Sequence, residues 1–197
     1  MYEYRNLNRE LQQRVLQQRR EAGLPLHELP HRVNEGNLYL LTGANYEHRH
    51  IMATPERRDD FAEKLLSGLM ALPEVELFAW CLLPNHYHLL ARLDQSDFAA
   101  MSARLHNGTA TQWNREDAAP GRKVWFRYCD RDIRGERHFW VSMNYIHANP
   151  VKHGYVRRAY DWPWSSVHYY AEQWGRAALR ELWRAYPVLN FGDKWDY

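Results

Sequence analysis

The stretch from Val75 to Leu93 limits what this chain can fold into more than any other. Val75 to Leu83 is apolar, β-tending and of strand length; Pro84-Asn85 breaks it, and His86 to Leu93 alternates as a second strand. Two such runs on so short a link read as an antiparallel hairpin. Upstream, Asn37 to Thr42 is a short apolar strand candidate. Thr54 and Pro55 then give a helix start, with Thr as N-cap and Pro at the first position. Phe61, Leu65, Leu66, Leu69 and Met70 recur at helical spacing, so this helix is expected to reach about Leu72. Downstream, Phe98, Met101, Leu105 and Trp113 suggest a second helix, and the aromatic segment Val124 to Ile133 a further strand.

The resulting order is βαββαβ. It predicts an α+β, ferredoxin-like antiparallel sheet with both helices on one face. Glu136 to Ala148 reads as another helix, stopped by Pro150, and one or two more helices are expected around Ser165 to Tyr186. At the other end, Glu3 to Ala22 carries Arg14, Arg19 and Arg20 on an amphipathic basic helix, and Gly23 to Gly36, with Pro25 and Pro30, reads as a linker. The expected division is therefore 1–36 for the basic helix and linker, 37–160 for the main domain and 161–197 for a helical tail packed on it.

Composition narrows the function classes. Of 197 residues, 45% are hydrophobic and 25% charged, which suits a globular chain and excludes wholesale disorder. The net charge of +2 is too small to mark a nucleic-acid binder by itself, so any polyanion site must be local. Cys81 and Cys129 make neither a disulfide scaffold nor a four-cysteine zinc site, which fits a reducing cytoplasm. No apolar signal core is seen, and no stretch approaches the ~18 to 20 apolar residues that cross a bilayer. The expectation is a cytoplasmic protein without a membrane partner.

The densest chemistry lies in Leu83-Pro84-Asn85-His86-Tyr87-His88. Residues two apart on a strand share a face, so His86 and His88 can turn two imidazoles toward one divalent ion; the alternative is a plain hydrogen-bonded surface pair. A partner motif is Tyr145-Ile146-His147-Ala148-Asn149-Pro150. Tyr145 and Asn149, four apart on a helix, would present a phenol nucleophile and an amide-oxygen ligand together, with His147 as the competing ligand and Tyr145 as amphipathic core the plainer reading. Asn149 precedes proline, so it is expected at a frayed last turn.

Taken together these residues resemble the REP-associated tyrosine transposases, within the HUH single-stranded DNA nucleases named for His-hydrophobic-His. The resemblance runs from about Asn37 to Tyr170 and rests on Leu83-Pro84-Asn85-His86-Tyr87-His88, Val124-Trp125-Phe126-Arg127-Tyr128, Tyr145-Ile146-His147-Ala148-Asn149-Pro150-Val151 and Trp162-Pro163-Trp164-Ser165-Ser166. It implies the HUH nuclease fold, a divalent Mg²⁺ or Mn²⁺ held by His86, His88 and Asn149, and Tyr145 as the nucleophile. It also implies a 5′-phosphotyrosine intermediate, a free 3′-hydroxyl that can later rejoin strands, and single-stranded or hairpin DNA of REP type as partner, at the bacterial nucleoid. Two departures are visible: Tyr87 takes the hydrophobic middle position, and Leu38 to Thr42 lacks the histidine many relatives carry there.

The expected DNA-contacting residues are Arg122, Lys123, Arg127, Arg131 and Arg134 before the tyrosine helix, joined by Arg14; Asp130, Asp132 and Glu136 dilute that charge. Trp125, Phe126 and Tyr128 are candidates for stacking on unpaired bases, half of them facing the core. The tail aromatics around Trp162 and Trp164 are expected to dock the C-terminal helices, with Ser165 or Ser166 as N-cap, and Cys81 to be core. Two rival functions stand beside transesterification: a hairpin-binding protein that does not cut, and a zinc hydrolase that activates water on His86, His88 and His147. Either a monomer or a homodimer is compatible with the sequence.

Overall fold

The computed structural model describes residues 37–192. The expected basic helix, linker and Arg14 lie outside the described residues. Strands β1 (Leu38–Ala44), β2 (Glu76–Leu82), β3 (His86–Arg92) and β4 (Cys129–Asp132) form one sheet in the order β2-β3-β1-β4, every neighbour antiparallel. Four helices accompany it: α1 (Pro55–Met70), α2 (Gln95–Glu116), α3 (Glu136–Lys152) and α4 (Val167–Ala185). This is the α+β, split βαββαβ arrangement expected from the chain order, with additional helices.

Pleating sends alternate side chains to opposite faces. Tyr39, Leu41, Tyr87, Leu89 and Ala91 go to one face, where Phe61, Leu65 and Leu69 of α1 and Phe98, Met101 and Trp113 of α2 bury them. Leu38, Leu40, Ala79, Cys81 and Leu90 go to the other, under Phe139, Met143 and Ile146 of α3. Burying both faces explains why β3 reads as nearly continuous apolar residues interrupted by two histidines. Local signals start the helices on the first face: the Thr54 hydroxyl accepts from Arg57 N–H, and the Asp94 carboxylate from Ser96 and Asp97 N–H.

The Trp162-Pro163-Trp164-Ser165-Ser166 segment seals the outer edge of β2. Trp162 Nε1 donates to the Leu82 carbonyl at 2.8 Å, Leu82 N–H donates to the Trp164 carbonyl at 2.9 Å, and Ser166 N–H donates to the Trp80 carbonyl at 3.0 Å. Arg58 stacks its guanidinium 4.0 Å from the Trp164 ring centre and donates to the carbonyls of Met52 and Ala53. Of the two serines, Ser166 takes the N-cap position of α4, and the Ser165 hydroxyl accepts from Val167 N–H at 3.2 Å.

Two expectations need correction. The strand expected over Val124 to Ile133 begins as a ladder only at Cys129. Beyond Ala44 the chain of β1 turns into a short 3₁₀ segment (Tyr46–His48), so Val124 to Tyr128 has no strand to pair with and is held by the single bridge Asn45 to Trp125. And α3 does not stop at Pro150 but runs on to Lys152. Proline removes one N–H from the helix, yet its buried neighbours on α3 hold that turn in place.

The aromatics of this segment divide. Trp125 is core, stacked on His106 at 4.2 Å between ring centres and on Phe61 at 5.1 Å; Tyr128 meets Phe98 edge-on; Phe126 faces away toward Tyr46. Burial pushes His106 down to a pKa of about 4, from 6.5. Between these values the unfolded chain binds a proton that the folded chain refuses, so this contribution is complete above pH 6.5 and is lost as pH falls toward 4. Urea unfolding should therefore show stability declining across that window by up to about 1.4 kcal/mol per pH unit, and His106→Gln should flatten the decline; an unchanged slope in the variant would contradict the assignment.

Candidate active site between β3 and α3

His86 and His88 leave β3 on the α3 face, fully buried, their ring centres 4.9 Å apart. A relay of hydrogen bonds sets the protonation of His86. The Asn85 amide donates from Nδ2 to the His48 carbonyl at 3.1 Å, which turns Oδ1 toward His86 Nδ1 at 2.7 Å. Nδ1 therefore carries the hydrogen, and the Nε2 lone pair points at α3. His88 is held by Thr42, its register partner on β1, with Oγ1 2.8 Å from Nδ1.

From α3 two side chains one turn apart meet these imidazoles. The Tyr145 hydroxyl lies 3.5 Å from His88 Nε2, and Asn149 Oδ1 lies 3.1 Å from His86 Nε2. Asn149 is not at a frayed end, because α3 continues past it; it is fully buried. Its Nδ2 has no hydrogen-bond partner, while its oxygen faces a lone pair. Reversing the amide would give the nitrogen a partner and orphan the oxygen instead. Two imidazole nitrogens and an amide oxygen converging with an unbalanced acceptor pair between them form a donor set suited to a divalent cation. Among the described residues, no cluster of three or more His, Cys, Asp or Glu side chains is placed to hold a metal.

His147, the competing ligand, points elsewhere. Its Nε2 lies 3.0 Å from the Ser166 hydroxyl, which also accepts from Trp80 N–H, and burial holds its pKa at about 3. The three-histidine arrangement of a zinc hydrolase is thus not formed. The expected DNA-contacting residues scatter. Arg122 is committed to an ion pair with Asp117 at 2.7 Å and to Asn114, fastening the end of α2. Lys123 and Arg127 are exposed, Lys123 with Nζ 4.4 Å from the Tyr46 ring centre. Arg131 and Arg134 line a cavity of about 420 Å³ with Asp130, Asp132, His138 and Phe191. Sequence reasoning missed Asn85 and Thr42 as the groups that orient the histidines. Asn85 was visible as the residue before His86; Thr42 becomes visible only through the β1–β3 register.

Comparison with known proteins finds relatives of the whole domain. A Haemophilus influenzae protein provisionally named a REP-associated tyrosine transposase is 34% identical over 117 residues, covering 51% of this chain and 66% of its own length. The REP-associated tyrosine transposase of Escherichia coli is 29% identical over 128 residues, covering 62% of this chain and 66% of its own length. The chain is thus similar to proteins named as REP-associated tyrosine transposases. It spans just under two thirds of the length of each of these relatives. No family model matches. The solved structure of a REP-associated tyrosine transposase bound to a REP hairpin has the same fold, with a TM-score of 0.56 and 23% identity over 70% of this chain and 81% of that one.

In this chain Tyr145 is fully buried, and part of its cover comes from residues far along the sequence. Phe191 packs edge-on against its ring at 5.6 Å, and Lys152 sets its ammonium 5.0 Å from the ring centre while donating to the Gly192 carbonyl at 3.1 Å. Gly192 has φ of +78°, and a Cβ there would stand 2.2 Å from the Tyr145 ring. Only glycine fits. Gly192→Val should therefore lift this segment, shifting local opening by about 1–3 kcal/mol, or roughly 5- to 150-fold. Nitration of Tyr145 by tetranitromethane, followed by peptide mass mapping, should rise accordingly; equal nitration in both proteins would show that the segment does not shield the ring.

Proposed function

We propose that this chain is a divalent-metal-dependent single-stranded DNA endonuclease and strand transferase acting on REP-type hairpin DNA, with Tyr145 as its nucleophile. The observation that carries the reading is the meeting of Tyr145 with His88 and of Asn149 with His86 across one interface. The kinship with REP-associated tyrosine transposases supports it.

A tyrosine hydroxyl is a weak nucleophile near neutral pH, its reference pKa being ~10. The site addresses this by position. Tyr145 is fixed by the sheet below and by Phe191 beside it, so its oxygen is aimed with few rotamers to lose. In the proposed step the Tyr145 oxygen bonds to phosphorus, the P–O3′ bond breaks, the phenolic proton departs and the released 3′ oxygen is protonated. The product is a 5′-phosphotyrosine and a free 3′-hydroxyl, and reversal by that hydroxyl or another joins strands with no external energy source. His86, His88 and Asn149 would hold Mg²⁺ or Mn²⁺, which would neutralise charge developing on the phosphate. Asn85 and Thr42 keep both imidazoles turned with Nε2 inward. Lys152, on the same face of α3, adds a positive charge at the nucleophile.

The test is incubation of the full chain with labelled single-stranded hairpin DNA and Mn²⁺ or Mg²⁺, scored for a protein–DNA adduct that survives denaturation. The adduct should vanish in Tyr145→Phe and in EDTA. Thr42→Val, which keeps shape and removes the oxygen that holds His88, should lower metal-supported adduct formation by about 10–100-fold. Tight hairpin binding with no adduct would favour the non-cutting rival, and metal-dependent cutting that survives Tyr145→Phe would favour activated water.

A further inference from the structure

A pair of aromatic rings stands outside both cores at the metal-ligand end of the sheet. Ala44, the last residue of β1, pairs with His86. Two residues on, Tyr46 N–H donates to the Val124 carbonyl at 2.7 Å, and Phe126 N–H donates back to the Ala44 carbonyl at 2.9 Å. These bonds bring the two rings to 4.8 Å, tilted by 46°. Both rings are half-buried and neither joins a hydrophobic cluster, although their neighbours Trp125 and Tyr128 turn inward. Lys123 extends its exposed ammonium over both, 4.4 Å from the Tyr46 centre and 5.6 Å from that of Phe126, and the His48 ring lies 6.0 Å from Phe126.

Packing does not account for this arrangement, since the core closes without it. Two π faces and an exposed cation are the chemistry that accepts a nucleobase and its phosphate. The backbone ties them to the strand pair that presents His86, so a strand reaching the histidines passes close by. We propose that Tyr46 and Phe126 form a stacking platform for an unpaired base of the DNA strand engaged at Tyr145, with Lys123 leaving the rings to meet the adjacent phosphate. This rests on the single-stranded DNA reading above. It divides the substrate between two places: α3 handles the phosphate that reacts, and the Tyr46–Phe126 pair holds a neighbouring base still.

Fluorescence anisotropy with the full chain tests it on three hairpins: one blunt, one with a four-nucleotide unpaired extension, and one with the same extension made abasic. The extension is placed on each side of the stem in turn. Phosphate number is equal in the last two, so electrostatics cancel. The chain should prefer the base-bearing extension on one side by roughly 5- to 150-fold over the abasic one. Phe126→Ala and Tyr46→Ala should lose that preference while keeping the blunt and abasic affinities. Phe126→Leu, which keeps apolar bulk, should lose it too, and Phe126→Trp should retain it. No preference in the unaltered chain, or an equal loss on all three hairpins in the Leu variant, overturns the platform. A chain that binds none of the hairpins overturns the platform and the function reading together, whereas adduct formation without base preference overturns the platform alone.

Discussion

His86 and His88 are on the α3 face because Tyr87 between them is locked onto the other. Gly43 stands opposite Tyr87 across the β1–β3 ladder, and a Cβ at Gly43 would lie 2.3 Å from the tyrosine ring. The ring thus occupies space that only glycine leaves open, and slipping the register by one residue would drive it into a backbone position with a side chain. A one-residue slip would also exchange the faces of the whole strand, burying both imidazoles among the leucines of the α1–α2 core. The same lock that closes the core therefore aims the histidines at α3, and places Thr42 across from His88 to hold it.

Where sequence and structure agree, the signal was periodicity. The alternation of His86 to Leu93, the hairpin break at Pro84-Asn85 and the four-residue interval from Tyr145 to Asn149 each fix a face, and faces are what the site needs. Where they differ, a tertiary contact outweighed a local rule. Proline at position 150 predicts a helix end, but Asn149 is buried and α3 runs past it. The aromatic run before β4 predicts a longer strand, yet β1 turns away at Asn45 and leaves it no partner. His147 and Asn149 are equivalent to a motif reader; two residues apart on a helix they point about 200° apart, and the Ser166 hydroxyl claims the first. Gly192 could not be read at all, since its role depends on a ring 47 positions upstream.

The site combines a reactive group with enclosure. Tyr145 lies at the centre of its interface, touched by His88, Phe191 and Lys152. The histidines and Asn149 belong to packed secondary structure, whereas Phe191 and Gly192 follow the last helix. The cover over Tyr145 and the histidine–asparagine group thus come from different parts of the chain.

The sealing of β2 by the Trp162 to Ser166 segment bears on how copies of this molecule can meet. A sheet open at both rims can add strands without limit, and that is the route to fibres. Here Leu82 and Trp80 spend their outward backbone groups on Trp164 and Ser166, so among the described residues β4 is the one rim left. Two molecules joined rim to rim through β4 would use up both and present nothing to a third. Any association through this sheet would then end at a two-fold pair.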